Sequence, residues 1–160
     1  NISKNDFFAR TELLMANTST MTNVAYIPEV QGKFNNELSF VTKFNVGQLA
    51  SATRVAKLPA DSSKHYKVEY TYNSSIRNAF RSGTLDINID RTVDTVNLSD
   101  EYDFLGDTAN NTNSTRLNFT ASLSDENSDG AKETLILQAT NPSLSSNENA
   151  QIIFKVRSIS

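Results

Sequence analysis

The sequence predicts an all-β fold, an antiparallel β-sandwich of jelly-roll type with a short N-terminal segment that is helical or extended. Three observations predict it: short segments alternate polar and apolar residues, Asn, Ser, Asp and Gly separate them, and no helical pattern follows residue 20. Alternation of period two puts the apolar side chains on one face of a strand. About eight or nine such strands are typical of a sandwich or jelly roll, and a closed barrel would show the same pattern.

The first 20 residues differ from the rest of the chain. Asp6–Met15 places its apolar residues about one helical turn apart, which favours a short amphipathic helix. A helix of this length is not stable alone, so it must pack on its own domain or on a neighbour. We therefore divide the chain into an assembly or linker segment, residues 1–20, and a β-sandwich domain, residues 21–160.

The strands follow in order from their alternation and from the turn residues between them. Pro28 ends the first, and the last ends the chain with apolar residues on both faces. The aromatic face of the strand that begins at Tyr66 is interpreted as core rather than as a sugar-stacking platform. The predicted strands are Met21–Ile27, Leu38–Val46, Thr53–Leu58 as a candidate edge strand, Tyr66–Tyr72, Gly83–Ile89, a short Thr95–Leu98, Arg116–Leu123, Glu133–Thr140 and Ala150–Ile159.

Length and composition limit the classes of function that the sequence suggests. The 160 residues suit one domain, and 15 basic against 18 acidic residues give a net charge of −3. Residues 1–91 carry 11 Lys or Arg and 8 Asp or Glu, whereas residues 92–160 carry 4 and 10. No basic run is interleaved with aromatic residues, which argues against nucleic-acid binding. The chain has no cysteine for disulfides or thiolate chemistry, and neither a membrane span nor a signal peptide is predicted. Because it begins with Asn1, we expect a processed or excised piece.

Few residues suggest catalysis or metal binding. His65 is the single histidine, so no familiar triad or transition-metal set is predicted. Asp125–Gly130 resembles the first half of a calcium loop, but the twelfth position, which should be Glu, is Ile136. A hairpin turn is therefore preferred, with Asp125, Asn127 and Asp129 kept as metal-ligand candidates and no cofactor expected.

A second acidic cluster could in principle support glycoside hydrolysis. That reaction needs two carboxyl groups roughly 5–10 Å apart across a sugar-sized cleft. The sequence supplies the carboxylates but no sign of a cleft, so we predict that the protein is not an enzyme. The cluster consists of Asp100, Glu101, Asp103 and Asp107.

Several segments, in order, resemble a β domain of tailed-bacteriophage virion structural proteins, the tail-fibre-like and appendage proteins of marine phages. That family pairs a Y-x-I/V strand with an R-x-G-T-L/M-x-I strand, and continues with a Ser-Asp-Glu-Tyr element, a glycine and a V/L-x-F-S/T-A strand. It ends on a strand similar to A-x-I/L-x-Y/F. The matching residues are Tyr66–Tyr72, Arg81–Leu85, Leu98–Tyr102, Gly106, Leu117–Ala121 and Ala150–Arg157.

The resemblance implies a structural module of a symmetric, often trimeric, assembly in the virion, with other virion proteins as partners and no enzymatic residues to transfer. A fibre, appendage or capsid-decoration subunit acting by self-association and attachment is the leading hypothesis. The assembly contacts that we predict are Phe7, Phe8, Leu13, Leu14, Met15, Ile153 and Ile159.

The alternative is a carbohydrate- or receptor-binding module that recognises a host cell-surface glycan, with calcium assisting. Its candidate contacts lie in two polar loops, at Asn110, Asn111, Asn113, Asp125 and Asn127. A bacterial surface or pilus subunit is a third hypothesis, for which the sequence shows no donor strand.

Overall fold

The computed structural model describes residues 10–14, 21–23, 37–45, 52–62, 64–74, 79–106, 117–140 and 149–159. The regular elements in these ranges are ten strands in two separate five-stranded sheets, which confirms the antiparallel β-sandwich. The strands are β1 Glu12–Leu14, β2 Met21–Asn23, β3 Glu37–Asn45, β4 Thr53–Pro59, β5 Lys64–Ser74, β6 Ala79–Asp90, β7 Thr95–Gly106, β8 Asn118–Ser124, β9 Thr134–Thr140 and β10 Asn149–Ile159.

Each sheet combines pairs of strands that are neighbours in sequence with pairs that are distant in sequence. Sheet A has the order β2-β1-β4-β9-β8, and sheet B has the order β3-β10-β5-β6-β7. Every pair is antiparallel. Strands β5, β6 and β7 form a continuous meander, whereas β10 inserts between β3 and β5. Because β7 contacts β8 and β1 contacts β3, the two sheets stack in the same lateral order.

The core lies between the sheets, and alternation selects its members. The aromatic face predicted as core is confirmed, because Tyr66, Tyr70 and Tyr72 are all buried. The apolar face of β10 is buried as well. Phe119 of β8 joins the sheets by edge-to-face packing, with its ring centroid 4.8 Å from that of Tyr70 and 6.4 Å from that of Phe154.

The N-terminal part corrects two predictions. Glu12–Leu14 are extended, so the helix preferred over Asp6–Met15 is wrong for these three residues, and the extended alternative holds there. Their backbone pairs with β2 on one side and β4 on the other, which supplies the hydrogen bonds that a short isolated helix could not sustain. Thr53–Leu58 was predicted as an edge strand, but β4 lies inside sheet A between β1 and β9.

Strand β7 corrects a third prediction. The sequence predicted a short strand, Thr95–Leu98, but β7 continues to Gly106 and pairs with β6 over its whole length. The acidic residues are accommodated because Asp100 points toward the core side, where it meets a cation, while Glu101 and Asp103 are exposed. Among the described residues, no helix is long and apolar enough to cross a bilayer.

Candidate functional site

A polar cluster, the Arg81 cluster, lies on the core side of sheet B and consists of Arg81, Tyr70, Asp100 and Tyr102; Arg81 and Tyr70 are buried, whereas Tyr102 is exposed. Arg81 is 1% exposed and occupies an inward position of β6. Its Nε donates to the Tyr70 hydroxyl at 2.8 Å, and its Nη2 donates to Asp100 Oδ2 at 2.5 Å. Its Nη1 donates to the carbonyl oxygen of Leu117, just before β8, at 2.6 Å. One guanidinium therefore joins three strands of sheet B to sheet A.

The other members complete the cluster. The Tyr70 hydroxyl donates to Asp100 Oδ1 at 2.9 Å, and the Tyr102 ring lies 3.5 Å from Arg81 Cζ, a cation–π contact. Burial, the largest cause, raises the pKa of Tyr70 well above its ordinary value. The phenol therefore remains protonated and keeps donating to Asp100.

Gly83 makes room for this cluster. A Cβ at this position would lie 2.6 Å from the Glu101 carbonyl oxygen and 2.8 Å from both the Tyr70 hydroxyl oxygen and the Tyr102 Cβ. The absence of a side chain at Gly83 therefore allows β7 and the Tyr70 hydroxyl to approach this closely. Sequence reasoning missed the cluster itself; the available signal was a charged residue, Arg81, in phase with the inward-facing Leu85 and Ile87.

A charged cavity of about 440 Å³ lies near the β6–β7 turn, the opposite end of sheet B from Ala79. Arg10 pairs with Asp61 and also donates to the Glu133 carbonyl oxygen at 3.1 Å. Arg91 pairs with Asp94 at 2.9 Å and also donates to the Ala60 carbonyl oxygen. The lining residues are Arg10, Glu12, Lys57, Asp61, Arg91, Glu126, Asn127, Asp129, Ala131, Glu133 and Thr134.

Glu126 is the best-connected anion of this cavity. It accepts from Arg54 at 2.8 Å and Ser124 at 2.5 Å, and its Oε1 lies 2.9 Å from Lys57 Nζ. The hydrogen bond from Ser124, then the one from Lys57, lower the pKa of Glu126 to about 2. The carboxylate therefore stays charged at any ordinary pH and anchors the β8–β9 loop to β4.

The β8–β9 loop holds three carboxylates close together. Oxygens of Asp125, Asp129 and Glu133 lie within 4.8 Å of one another. Asp125 also accepts the backbone N–H groups of Asp129 and Gly130, at 3.2 and 2.7 Å, as a turn-forming aspartate does. Asn127, a predicted ligand, accepts from the Asp129 N–H at 3.2 Å. Glu133, which the sequence did not suggest, belongs to this carboxylate set, and Asn127 stays a predicted ligand. The Oε2 of Glu133 is buried without a hydrogen-bond partner in the described ranges.

An apolar end patch occupies the end of the β6–β7 pair that lies away from the charged cavity. Its members are Phe80, Tyr102, Phe104 and Leu105, and Leu105 is 72% exposed. Phe80 and Leu105 are register partners on the outer face of sheet B, whereas Tyr102 and Phe104 are partners of Gly83 and inward-facing Arg81 and lie on the core side, so the patch extends around the strand end onto both faces. Strand β7 is an edge of sheet B among the described strands, so the patch flanks an exposed strand edge.

The predicted assembly contacts are only partly covered by the described residues. Ile153 is 40% exposed on the outer face of β10, and Ile159 ends that strand. Leu13 and Leu14 belong to β1. Phe7, Phe8 and Met15 lie outside the described residues. As contacts, all seven stay predictions.

The predicted ligand-contact loops are also divided. Asn110, Asn111 and Asn113 lie outside the described residues, while Asp125 and Asn127 are in the β8–β9 loop, with Asn127 lining the charged cavity. His65 contacts Asn88 at 2.7 Å and Asp86 at 3.2 Å on the outer face of sheet B, consistent with an ordinary surface histidine.

Comparisons with known proteins give one distant likeness. No protein-family model matches the chain, and no curated protein matches it. A solved structure of the tailspike protein of Acinetobacter phage vB_ApiP_P1 is similar at 15% identity with a TM-score of 0.37. The similar region covers 89% of this chain and 24% of the tailspike chain. No residue role is transferred from it.

Proposed function

We propose that this β-sandwich is a structural module of a tailed-phage virion, acting by association with other protein chains and by attachment rather than by catalysis. The apolar end patch beside the β7 edge is the observation that carries this proposal. Four of the six exposed large apolar residues of the described ranges, Phe80, Tyr102, Phe104 and Leu105, gather there. Gathered apolar surface of this kind marks contact sites more often than scattered residues do.

The size of the patch indicates what it can do. Its three aromatic side chains, each about two-fifths exposed, offer on the order of 250 Å². A stable interface needs about 800 Å² from each partner, so the patch must be part of a larger contact. A virion fibre, appendage or capsid-decoration subunit, most simply a homotrimer, would supply that contact from neighbouring copies.

Light scattering coupled to size exclusion tests this proposal. The expected mass is three times the 17.7 kDa of one chain, falling with dilution. Leu105→Ser should lower the mass at a given concentration, because it removes apolar contact area from the patch. Val93→Ser is the matched control, since Val93 is 64% exposed in the turn at the other end of the β6–β7 pair. A wild-type mass of 17.7 kDa at every concentration would contradict the proposal.

A second variant tests the N-terminal contacts separately. Phe8→Ser together with Leu14→Ser should lower the oligomeric state without melting the sheets. Preserved assembly in that variant would remove the N-terminal segment from the interface.

The second candidate function is carbohydrate or receptor binding assisted by calcium. The charged cavity favours it, because Glu133 both lines the cavity and belongs to the carboxylate set with Asp125 and Asp129. Its buried Oε2 is the kind of oxygen that a hard cation coordinates.

Calorimetric titration with calcium, and glycan-array binding with and without chelator, test this second function. Glu133→Gln should abolish calcium binding, whereas the neighbouring Lys132→Gln should not. Unchanged array signals after chelation would reject a calcium-assisted site.

A further inference from the structure

The outer face of sheet B is electrically polarised from one lateral edge to the other. Near the β3 edge, the exposed outward residues of β10 include Lys155 and Arg157. At the opposite edge, the outward residues of β7 include Glu101 and Asp103, both exposed. On the outer face, β5 carries Lys67 and Glu69 and is balanced, whereas β6 is acidic with Asp86 and Asp90. β3 itself contains one acidic and one basic residue, Glu37 and Lys43. One edge region is therefore basic, and the other is acidic.

This polarity selects among the ways in which two copies could extend the sheet. Pairing β7 with β7 would place Glu101 and Asp103 beside their own copies, and like charges on neighbouring strands are destabilising. Pairing β3 with β3 would join two basic edge regions, although Lys155 and Arg157 lie one strand inside each edge, and would leave both acidic edges without a cationic partner. Only a contact of β7 with β3 brings the acidic edge region toward the basic one.

The core side of β7 favours a contact at the same edge. Tyr102 and Phe104 face the core side of the last strand of sheet B, yet they are 43% and 38% exposed. A strand placed beside β7 would cover part of these two exposed aromatic residues.

We propose that the β7 edge of one copy lies beside the β3 edge of a second copy of this chain, so that sheet B continues from copy to copy. This inference rests on the association proposed above and specifies its surface. Because neighbouring strands alternate in direction, β3 and β7 run the same way in one sheet. With both outer faces on the same side, the new pair is parallel. The contact is head-to-tail, and it closes into a ring or extends as a fibre, depending on the rotation between copies.

Charge reversal tests the contact. One double variant is Glu101→Lys with Asp103→Lys, which makes both edge regions basic. The other is Lys155→Glu with Arg157→Glu, which makes both acidic. All four residues are exposed, so each variant should keep its fold, as checked by circular dichroism and thermal melting.

Light scattering at one fixed concentration gives the result. Each variant alone should fall to the 17.7 kDa monomer, while an equimolar mixture should assemble again, because each basic edge then meets an acidic one. Alternating variants close only rings with an even number of chains, so the mixture of a trimeric protein should form even-numbered or open assemblies instead of the trimer. The neutral pair Glu101→Gln with Asp103→Asn should lower the mass less than reversal does, and it replaces any reversal that fails to fold.

Two outcomes would overturn the inference, and they differ. If the wild type assembles and its charge-reversed variants also stay assembled, the β7–β3 contact is rejected but the proposed association is not. Wild type that is monomeric at every concentration rejects both.

Discussion

Replacing Asp100 with alanine should destabilise the fold more than any other removal of a β7 carboxylate. Asp100 accepts from Arg81 Nη2 at 2.5 Å and from the Tyr70 hydroxyl at 2.9 Å, and its side chain is 16% exposed. Without it, Arg81 keeps its charge at 1% exposure and loses its anionic partner. Breaking a buried ion pair from one side costs about 3–5 kcal/mol.

The lower part of that range applies here, because water reaches part of Asp100 and Arg81 retains its bonds to Tyr70 and Leu117. A cost of about 3 kcal/mol corresponds to a fall in Tm of roughly 6–12 °C for a chain of this size. It is also a large fraction of the ~5–15 kcal/mol that stabilises a typical domain.

Urea unfolding followed by far-ultraviolet circular dichroism measures the change in free energy of unfolding. The matched control is Asp103→Ala, which removes an exposed carboxylate from the same strand and should change stability by less than about 0.5 kcal/mol. In a double-mutant cycle with Arg81→Met, most of the free energy lost in Asp100→Ala should appear as the interaction energy between Asp100 and Arg81. If Asp100→Ala lowers the free energy of unfolding no more than Asp103→Ala does, the ion pair between Arg81 and Asp100 does not stabilise the fold.

Two further predictions concern single residues. Gly83→Ala should lower the free energy of unfolding by about 1–3 kcal/mol in urea, because the new Cβ would lie 2.8 Å from the Tyr70 hydroxyl oxygen. The control, Ser82→Ala on the outer face, should be nearly neutral. Equal urea midpoints for the two variants would refute the close packing around Gly83. The pKa of Glu126 is lowered from 4.5 to about 2 in the folded protein, so its stabilisation is complete above about pH 4.5 and is lost as the pH falls toward 2. Wild type should therefore be more stable than Glu126→Gln at pH 6. If the difference between their urea midpoints stayed constant down to pH 2.5, the lowered pKa of Glu126 would be contradicted.

Local alternation was enough to predict the long strands and their core faces. Tyr66–Tyr72 lies within β5, Gly83–Ile89 within β6, and Ala150–Ile159 within β10, each with the predicted inward residues buried. These segments have strong period-two patterns, which depend only on neighbours in the chain.

The errors arose where the decisive contact is distant in sequence. Asp100 was predicted to lie beyond the end of a short strand, because its cation, Arg81, lies on another strand. Thr53–Leu58 looked like an edge because its outer neighbour, β1, was expected to be a helix. In the charged cavity, Glu133 joined the carboxylate set only through the way in which the β8–β9 loop folds. The spacing of apolar residues along one strand does not indicate which distant residues contact that strand.

The position of β10 has a consequence for how this protein reaches its folded state. This strand, Asn149–Ile159, is interior to sheet B and holds β3 in the sheet, although β3 lies more than a hundred residues earlier in the chain. Within sheet B, as the described strands form it, only the β5–β6–β7 meander is built from strands that are neighbours in sequence, and β3 can join it only after β10 has paired. Ladders between segments so distant in sequence form slowly. During synthesis, β3 therefore cannot take its place in sheet B until residues 149–159 have left the ribosome.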